Sequence, residues 1–284
     1  MERLNMISVD LEDWHHSCYL KDFVTESNYI QRISSSTEQI LNVFKKHKVI
    51  ATFFTLGCIA EENPKLIKRI YDEGHEIASH GYTHTPLWDH NPETFRNEIT
   101  KTNQIIEGIT GEKVIGFRAP YASLNKETAW AIKILEEEGF VYDSSIFPMK
   151  TPLYGVNNAP LNPYKINSDN ILENNPNAKI IEIPFSIYKL SFLKIPCTGA
   201  IYGRFLPLWL LKVLLKKIEK HRPINFYFHP WEIDKEIPRI NAPLKNKFLS
   251  YYHTNNYLDK IDEVIKNFNF CSIKHYISAN EKSI

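Results

Sequence analysis

Along most of this 284-residue chain, short apolar runs alternate with amphipathic, capped stretches. Few folds other than a parallel sheet covered by helices accommodate that rhythm. The opening run at 4–9, VIATFFTL at 49–56, HEIASH, VIGFRAP, FVYDSSI, IIEIPFSI, INFYFHP and FCSIK read as strands. Between them, Ser35 and Glu38 form a capping-box pattern ahead of QILNVFKKH. Asn63 and Pro64 open a helix that Gly74 ends, and Asn91 and Pro92 open another that stops near Gly108 to Gly111. KETAWAIKILEEEG, residues 126–139, is a third, and two more fall near 207–220 and 256–267. Residues 148–178, rich in Pro, Asn and Tyr and without period, are expected to form a long loop. Periodicity does not decide whether the sheet closes on itself.

A hydrophobic content of 43% over this length supports one large core, so a single domain spanning 1–284 is expected. Thirty-four basic residues against thirty-three acidic ones leave a charge of +1 with no long single-sign block, which gives no footing for nucleic acid. Cys18, Cys58, Cys197 and Cys271 lie far apart without a CxxC, so neither a disulfide framework nor a thiolate zinc site is indicated. The opening MERLNMISVD runs straight into a strand pattern, without the basic segment and apolar core of a signal peptide. LPLWLLKVLL at 206–215 is broken by Lys212 and too short to span a bilayer. A cytoplasmic protein with no integral membrane segment is the expectation.

In SHGYTH, residues 79–84, His80 and His84 stand four positions apart. Four residues make about one helical turn, so on a helix-like turn both rings leave the backbone on one side, as a bidentate metal clamp requires. This motif and three others, SVDLEDW, GFRAPY and FYFHPWEID, fall at or just after the C-terminal ends of expected strands. Parallel α/β sheets bind ligands at that edge. Taken singly, each motif has an ordinary account: a histidine pair on a solvated helix, Asp10, Glu12 and Asp13 as a cap with solvated neighbours, Arg118 in a surface ion pair, His229 in the core. Together they offer a carboxylate and imidazoles from different elements, which is what a metal site needs.

The four motifs in this order resemble those of the polysaccharide deacetylase family, the NodB homology domain, over roughly residues 4–232. DLEDW, DSSIFP, EIPFS, TGAIYGRFLP and YFHPWEID are similar to a subgroup found in polysaccharide biosynthesis clusters. The resemblance implies a distorted parallel (β/α) barrel, often seven-stranded, and removal of N-acetyl or related acyl groups from an amino sugar in a glycan or glycan precursor. It also implies one divalent metal ion, zinc expected and Co²⁺, Ni²⁺ or Fe²⁺ as alternatives, held by His80, His84 and a carboxylate. Asp10 would be the general base, Arg118 its partner, the backbone N–H of Tyr121 the oxyanion donor, and His229 the general acid, with Asp143 or Glu182 as candidates to sustain its charge.

The first motif departs from the family pattern of two adjacent aspartates: Asp10 is followed by Leu11, Glu12 and Asp13, so Glu12 and Asp13 both stand as candidate metal ligands. Glu12 is preferred, because on an extended strand it shares the face of Asp10. Trp14, Tyr82, Tyr121, Tyr202 and Trp231 lie beside the motifs and are candidate stacking walls for sugar rings, whereas His15, His16, His75 and His90 are read as structural. The competing function is a C–N hydrolase of the same fold acting on a small non-sugar amide. A non-catalytic sugar binder is disfavoured because base, ligand, arginine and acid candidates are all present.

Overall fold

The computed structural model describes residues 3–191 and 193–280. Strands β1 (Asn5–Leu11), β2 (Thr52–Thr55), β3 (Glu76–Ser79), β4 (Gly116–Phe117), β5 (Tyr142–Asp143), β6 (Tyr164–Ile166), β7 (Ile180–Glu182), β8 (Ile187–Leu190), β9 (Leu193–Pro196), β10 (Asn225–Phe228) and β11 (Phe270–Cys271) alternate with helices. The helices are α1 (Ile33–His47), α2 (Gly57–Glu62), α3 (Pro64–Asp72), α4 (Pro92–Thr110), α5 (Trp130–Glu137), α6 (Ala200–Phe205), α7 (Leu208–Glu219), α8 (Leu244–Tyr251), α9 (Thr254–Asn267) and α10 (Ile273–Asn280).

The order β10-β1-β2-β3-β4-β5-β7 is parallel throughout, with β6 added antiparallel at the β7 edge and β11 paired to the start of β1. The parallel run therefore has the seven strands that the family likeness implies, in a mixed sheet that curls into a partial barrel. At its seam, Asn225 on β10 donates through Nδ2 to the carbonyls of Ile183 and Pro184 beyond β7, at 3.1 and 3.3 Å, and its N–H reaches Ser186 Oγ at 2.8 Å. Side-chain bonds, not a strand ladder, join the two edges there.

β1 is buried at every position, as a central strand covered on both faces must be. Its alternation sorts two layers. Ile7, Val9 and Leu11 join the core beneath the helices with Phe44, Phe53, Ile99 and Phe226, while Met6 turns inward with Phe54, Ala78, Tyr142 and Ile183. Above Met6 on that inner face stand Ser8 and Asp10, so apolar packing gives way to polar residues toward the C-terminal rim.

Helix α4 starts where expected: Asn91 accepts from Thr94 N at 2.9 Å, Pro92 occupies the first turn, and Gly111 at φ +74° closes the helix. The capping box expected at Ser35 and Glu38 does not form. α1 begins earlier, at Ile33, and no side chain of its own N-cap residue, Arg32, caps it. The cap comes from Asp13, far away in sequence, which accepts from the N–H groups of Arg32 and Ile33 at 2.7 and 3.1 Å. The loop expected at 148–178 is irregular apart from β6. Helices α2, α6, α8 and α10 and the β8–β9 hairpin had no separate sequence signal, each being short and stabilised by packing instead of local pattern. Among the described residues no helix is long and apolar enough to cross a membrane.

Candidate active site

Glu12 leaves the end of β1 and places Oε1 3.1 Å from His80 Nε2 and 2.9 Å from His84 Nε2. The two histidines do not ride on a helical turn, as their spacing suggested. HGYTH, residues 80–84, is a loop after β3, bent at Gly81 (φ +76°) and at His84 itself (φ +61°), a region β-carbons disfavour. Glu98 on α4 holds that loop, accepting from the N–H groups of Tyr82 and Thr83 at 2.7 and 3.0 Å. His80 Nδ1 lies 2.7 Å from the Arg118 carbonyl oxygen, to which it donates in the tautomer that turns the Nε2 lone pair toward Glu12. Burial opposes charge on Glu12, yet His84, His229 and the hydrogen bond with His80 hold its carboxyl well below the ordinary range. Burial pushes the His84 pKa down, toward the neutral form that metal ligation requires.

Asp13 takes no part in this cluster. Its carboxylate accepts from Trp14 N at 2.8 Å as well as from the start of α1, so both oxygens serve backbone donors. A turn after Glu12 carries Asp13 away from the face that Asp10 and Glu12 share.

Arg118, just after β4, is 1% exposed, and each of its three guanidinium nitrogens is hydrogen-bonded. Nη1 donates to Asp10 Oδ1 at 2.5 Å and to Ser8 Oγ at 2.9 Å, Nε to Ser144 O at 3.0 Å, and Nη2 to Ser144 Oγ at 2.9 Å. Its guanidinium lies 4.0 Å from the Phe54 ring centre, on top of the inner apolar layer. Asp10 Oδ2 is left facing His229 Nε2 at 3.7 Å. Tyr121 adopts φ +58°, its ring 4.5 Å from that of His84, and its backbone N–H makes no hydrogen bond among the described residues.

His229, at the end of β10, points Nε2 toward both Asp10 Oδ2 and Glu12 Oε1 at 3.7 Å. Neither Asp143 nor Glu182 supports it. The carboxylate at its back is Glu232, whose Oε2 lies 2.9 Å from His229 Nδ1 and accepts the His229 N–H at 3.0 Å. The E of HPWEID was thus the available signal. Burial alone would lower the His229 pKa, but Glu12, Glu232 and Asp10 raise it to about 9. Asp143 and Glu182 instead form a buried carboxyl pair under Arg118: Ser145 Oγ donates to Asp143 Oδ1 at 2.5 Å and Ile146 N–H to Glu182 Oε1 at 3.0 Å. Ser145 Oγ in turn accepts from Ala119 N–H at 2.8 Å, so the pair pins the turn that holds the arginine.

Asp10, Glu12, His80, His84, Arg118, Tyr121 and His229 line a cavity of about 250 Å³. Of the aromatics flagged by position, Tyr121, Tyr202 and Trp231 line it, as do Phe185 and Tyr227, which lie within quoted segments but were not singled out, and Tyr19 and Tyr154, which lie outside them. Trp14 and Tyr82 do not: Trp14 is fully buried and donates to Ile30 O at 2.7 Å, and Tyr82 bonds Glu61 on the outer face. A larger cavity of about 410 Å³ around Gly74, Glu76 and Glu112 holds none of the motif residues.

The donor set fits a divalent cation. Glu12, His80 and His84 offer a carboxylate oxygen and two imidazole nitrogens within 4.8 Å of one another, all buried. His84 Nε2, although 2.9 Å from Glu12, makes no hydrogen bond of acceptable geometry and has no other partner among the described residues. Two imidazoles and one carboxylate leave further positions open on a metal, the arrangement of hydrolytic rather than structural sites.

A family model described as polysaccharide deacetylase matches residues 26–140, and one described as a domain of unknown function (DUF3473) matches residues 144–278. The peptidoglycan-N-acetylglucosamine deacetylase of Bacillus cereus is 42% identical over 96 residues, 34% of this chain and 35% of that protein. The chain therefore spans about a third of the length of that curated relative. Among solved structures, Puue allantoinase superposes with a TM-score of 0.64 at 15% identity, over 99% of this chain and 90% of that one. The family 4 carbohydrate esterase of Streptomyces lividans, solved with acetate, gives 0.51 at 15% identity, over 95% and 91%. At such identities these two likenesses show the fold alone.

Proposed function

From the match of residues 26–140 to the polysaccharide deacetylase family and the likeness to a peptidoglycan-N-acetylglucosamine deacetylase, we propose that the chain is a metal-dependent carbohydrate deacetylase, hydrolysing N-acetyl or related acyl groups from an amino sugar in a glycan or glycan precursor. One observation carries the reading: a single carboxylate oxygen, Glu12 Oε1, meets two histidine nitrogens at 3.1 and 2.9 Å while a base candidate and an acid candidate face it from either side. Glu12, His80 and His84 would hold one divalent ion, zinc by its donor set, with Co²⁺, Ni²⁺ or Fe²⁺ as alternatives. When bound, such an ion supplies Lewis acidity to water and to the acyl oxygen.

The remaining work falls to the chain. Arg118 occupies Asp10 Oδ1 and fixes the rotamer, leaving Oδ2 to take a proton from the attacking water. The unengaged N–H of Tyr121 is available to the oxyanion that develops on the acyl group. An amine expelled without a proton is a very poor leaving group, so His229 Nε2 delivers one as the C–N bond breaks. With Glu12 engaged in ligation its pull on that proton weakens, and Glu232 remains to hold the imidazolium. Tyr121, Tyr202 and Trp231 offer flat faces to the C–H surfaces of a sugar ring.

The test is acetate release by purified protein, with Zn²⁺ or Co²⁺, from a panel of acetylated amino-sugar donors and oligomers. Acetate from sugar acetamides, and no turnover of small ureides or imides, is the expected result. Ureide hydrolysis without acetate release would move the chain to the competing small-amide chemistry.

A further inference from the structure

We propose that Arg204 is a positioning residue for His229, acting through Glu232, so that the segment matched by a domain of unknown function builds the acid half of the active site. The inference rests on the deacetylase reading and adds to it a residue outside the four motifs. Arg204, on α6, and Glu232 are both 0% exposed. A buried charge is tolerated only when paired and bonded throughout, and this pair is. Arg204 Nε donates to Glu232 Oε1 at 2.8 Å. Nη1 donates to the carbonyls of Ser250 and Tyr252 at 3.1 and 2.9 Å, and Nη2 to that of Leu249 at 2.7 Å. Those carbonyls belong to the C-terminal end of α8, where orphan acceptors and the helix dipole favour a cation.

Glu232 is thereby left with one oxygen, Oε2, for His229, and that oxygen takes both the backbone N–H and Nδ1. An imidazole bonded at Nδ1 has Nε2 as its free nitrogen, and Nε2 is the atom that faces Asp10 and Glu12. Trp231 closes the arrangement: its ring stacks on His229 at 5.5 Å and 26°, with the Arg204 guanidinium 5.4 Å from its ring centre. Arg204, Glu232, His229 and the three carbonyls all lie within residues 144–278. If Arg204 only tied α6 to α8, its loss would affect stability and every substrate alike. If it aims the acid, the loss falls on the step that needs a proton.

The experiment uses Arg204→Lys, which keeps the charge but not the forked guanidinium, and Glu232→Gln, which keeps the carboxylate's shape. Turnover of an N-acetylated chito-oligosaccharide and of 4-nitrophenyl acetate, whose leaving group needs no proton, is measured beside ¹⁵N imidazole spectra at fixed pH. Both variants should lower kcat on the acetamide roughly tenfold or more, the lower edge of an acid's contribution. KM and ester turnover should change by less than about threefold, and the His229 nitrogen signals should shift. Equal losses on amide and ester, or unchanged acetamide turnover with unchanged His229 signals, would overturn the proposal. Should the wild type release no acetate, the deacetylase reading fails, and the imidazole spectra alone then decide whether Arg204 positions the ring.

Discussion

Asp10 and Asp13 lie three residues apart and both are buried, yet Asp10 meets Arg118 in the cavity while Asp13 serves backbone N–H groups, and substitutions separate the roles these partners imply. Asp10→Asn should leave folding and metal binding largely intact while lowering deacetylation about 10²-fold or more, the scale of a lost general base. Near-wild-type turnover would reassign the base. Asp13→Ala should retain metal affinity but destabilise the fold by about 1–3 kcal/mol, because three backbone donors, two of them buried, lose their acceptor. Glu12→Ala should do the reverse, and metal titration beside urea unfolding of both variants checks the assignment. The sequence left Glu12 and Asp13 as alternatives because strand alternation says only which face a residue takes while the strand lasts. Where β1 ends, the turn decides, and it was set by a helix start nineteen residues further on. Residue types and order were enough to name His80, His84, Arg118 and Asp10 as candidates, since metal and proton chemistry restrict which side chains serve, and the structure brings the four together. They did not suffice for Glu232, which no spacing rule distinguished from Asp143 or Glu182.

Elements owe their placement to contacts that local pattern does not record. β5 and β7 are held at their rim ends by the Asp143–Glu182 pair, whose carboxyl groups are both raised, chiefly by burial and for Glu182 next by the Asp143 charge. Between the ordinary carboxylate value of about 4 and the raised values, the native state binds more protons than the unfolded chain, so this pair's contribution to stability falls as pH rises. Glu182→Gln removes one of the titrations and keeps a donor toward Asp143. The free energy of unfolding in urea should therefore decline less steeply from pH 5 to 8 in the variant than in the wild type, and equal slopes would place the proton elsewhere. At the other edge, Asn225→Ala removes the side-chain bonds across the seam and should cost about 1–3 kcal/mol. Helices α1, α3, α4, α5, α7 and α9 were legible because each carries an apolar stripe and most have a Pro, Asn or Gly punctuating an end. The shorter ones carry too few turns for a stripe to register.

At the scale of the molecule, the β/α rhythm was enough to foresee a parallel sheet with chemistry at its C-terminal rim, and family likeness supplied the seven-strand curl. The open seam was not foreseeable, because it depends on Asn225 and Ser186 meeting across the two ends of the sheet. Both matched segments build the site: His80, His84, Arg118 and Tyr121 come from residues 26–140, and His229, Glu232 and Arg204 from 144–278, with Asp10 and Glu12 ahead of both. Under the proposed function, one divalent ion at Glu12, His80 and His84 makes this rim a deacetylase. The most direct measurement is a titration of metal-stripped protein with Zn²⁺, following acetate released from an N-acetylated chito-oligosaccharide. Release should be absent at the start, rise with added metal, and level off near one ion per chain, whereas Glu12→Ala should show no saturable rise. Full acetate release by the stripped protein, or equal metal-dependent activity in Glu12→Ala, would show that no ion at these three residues drives the hydrolysis.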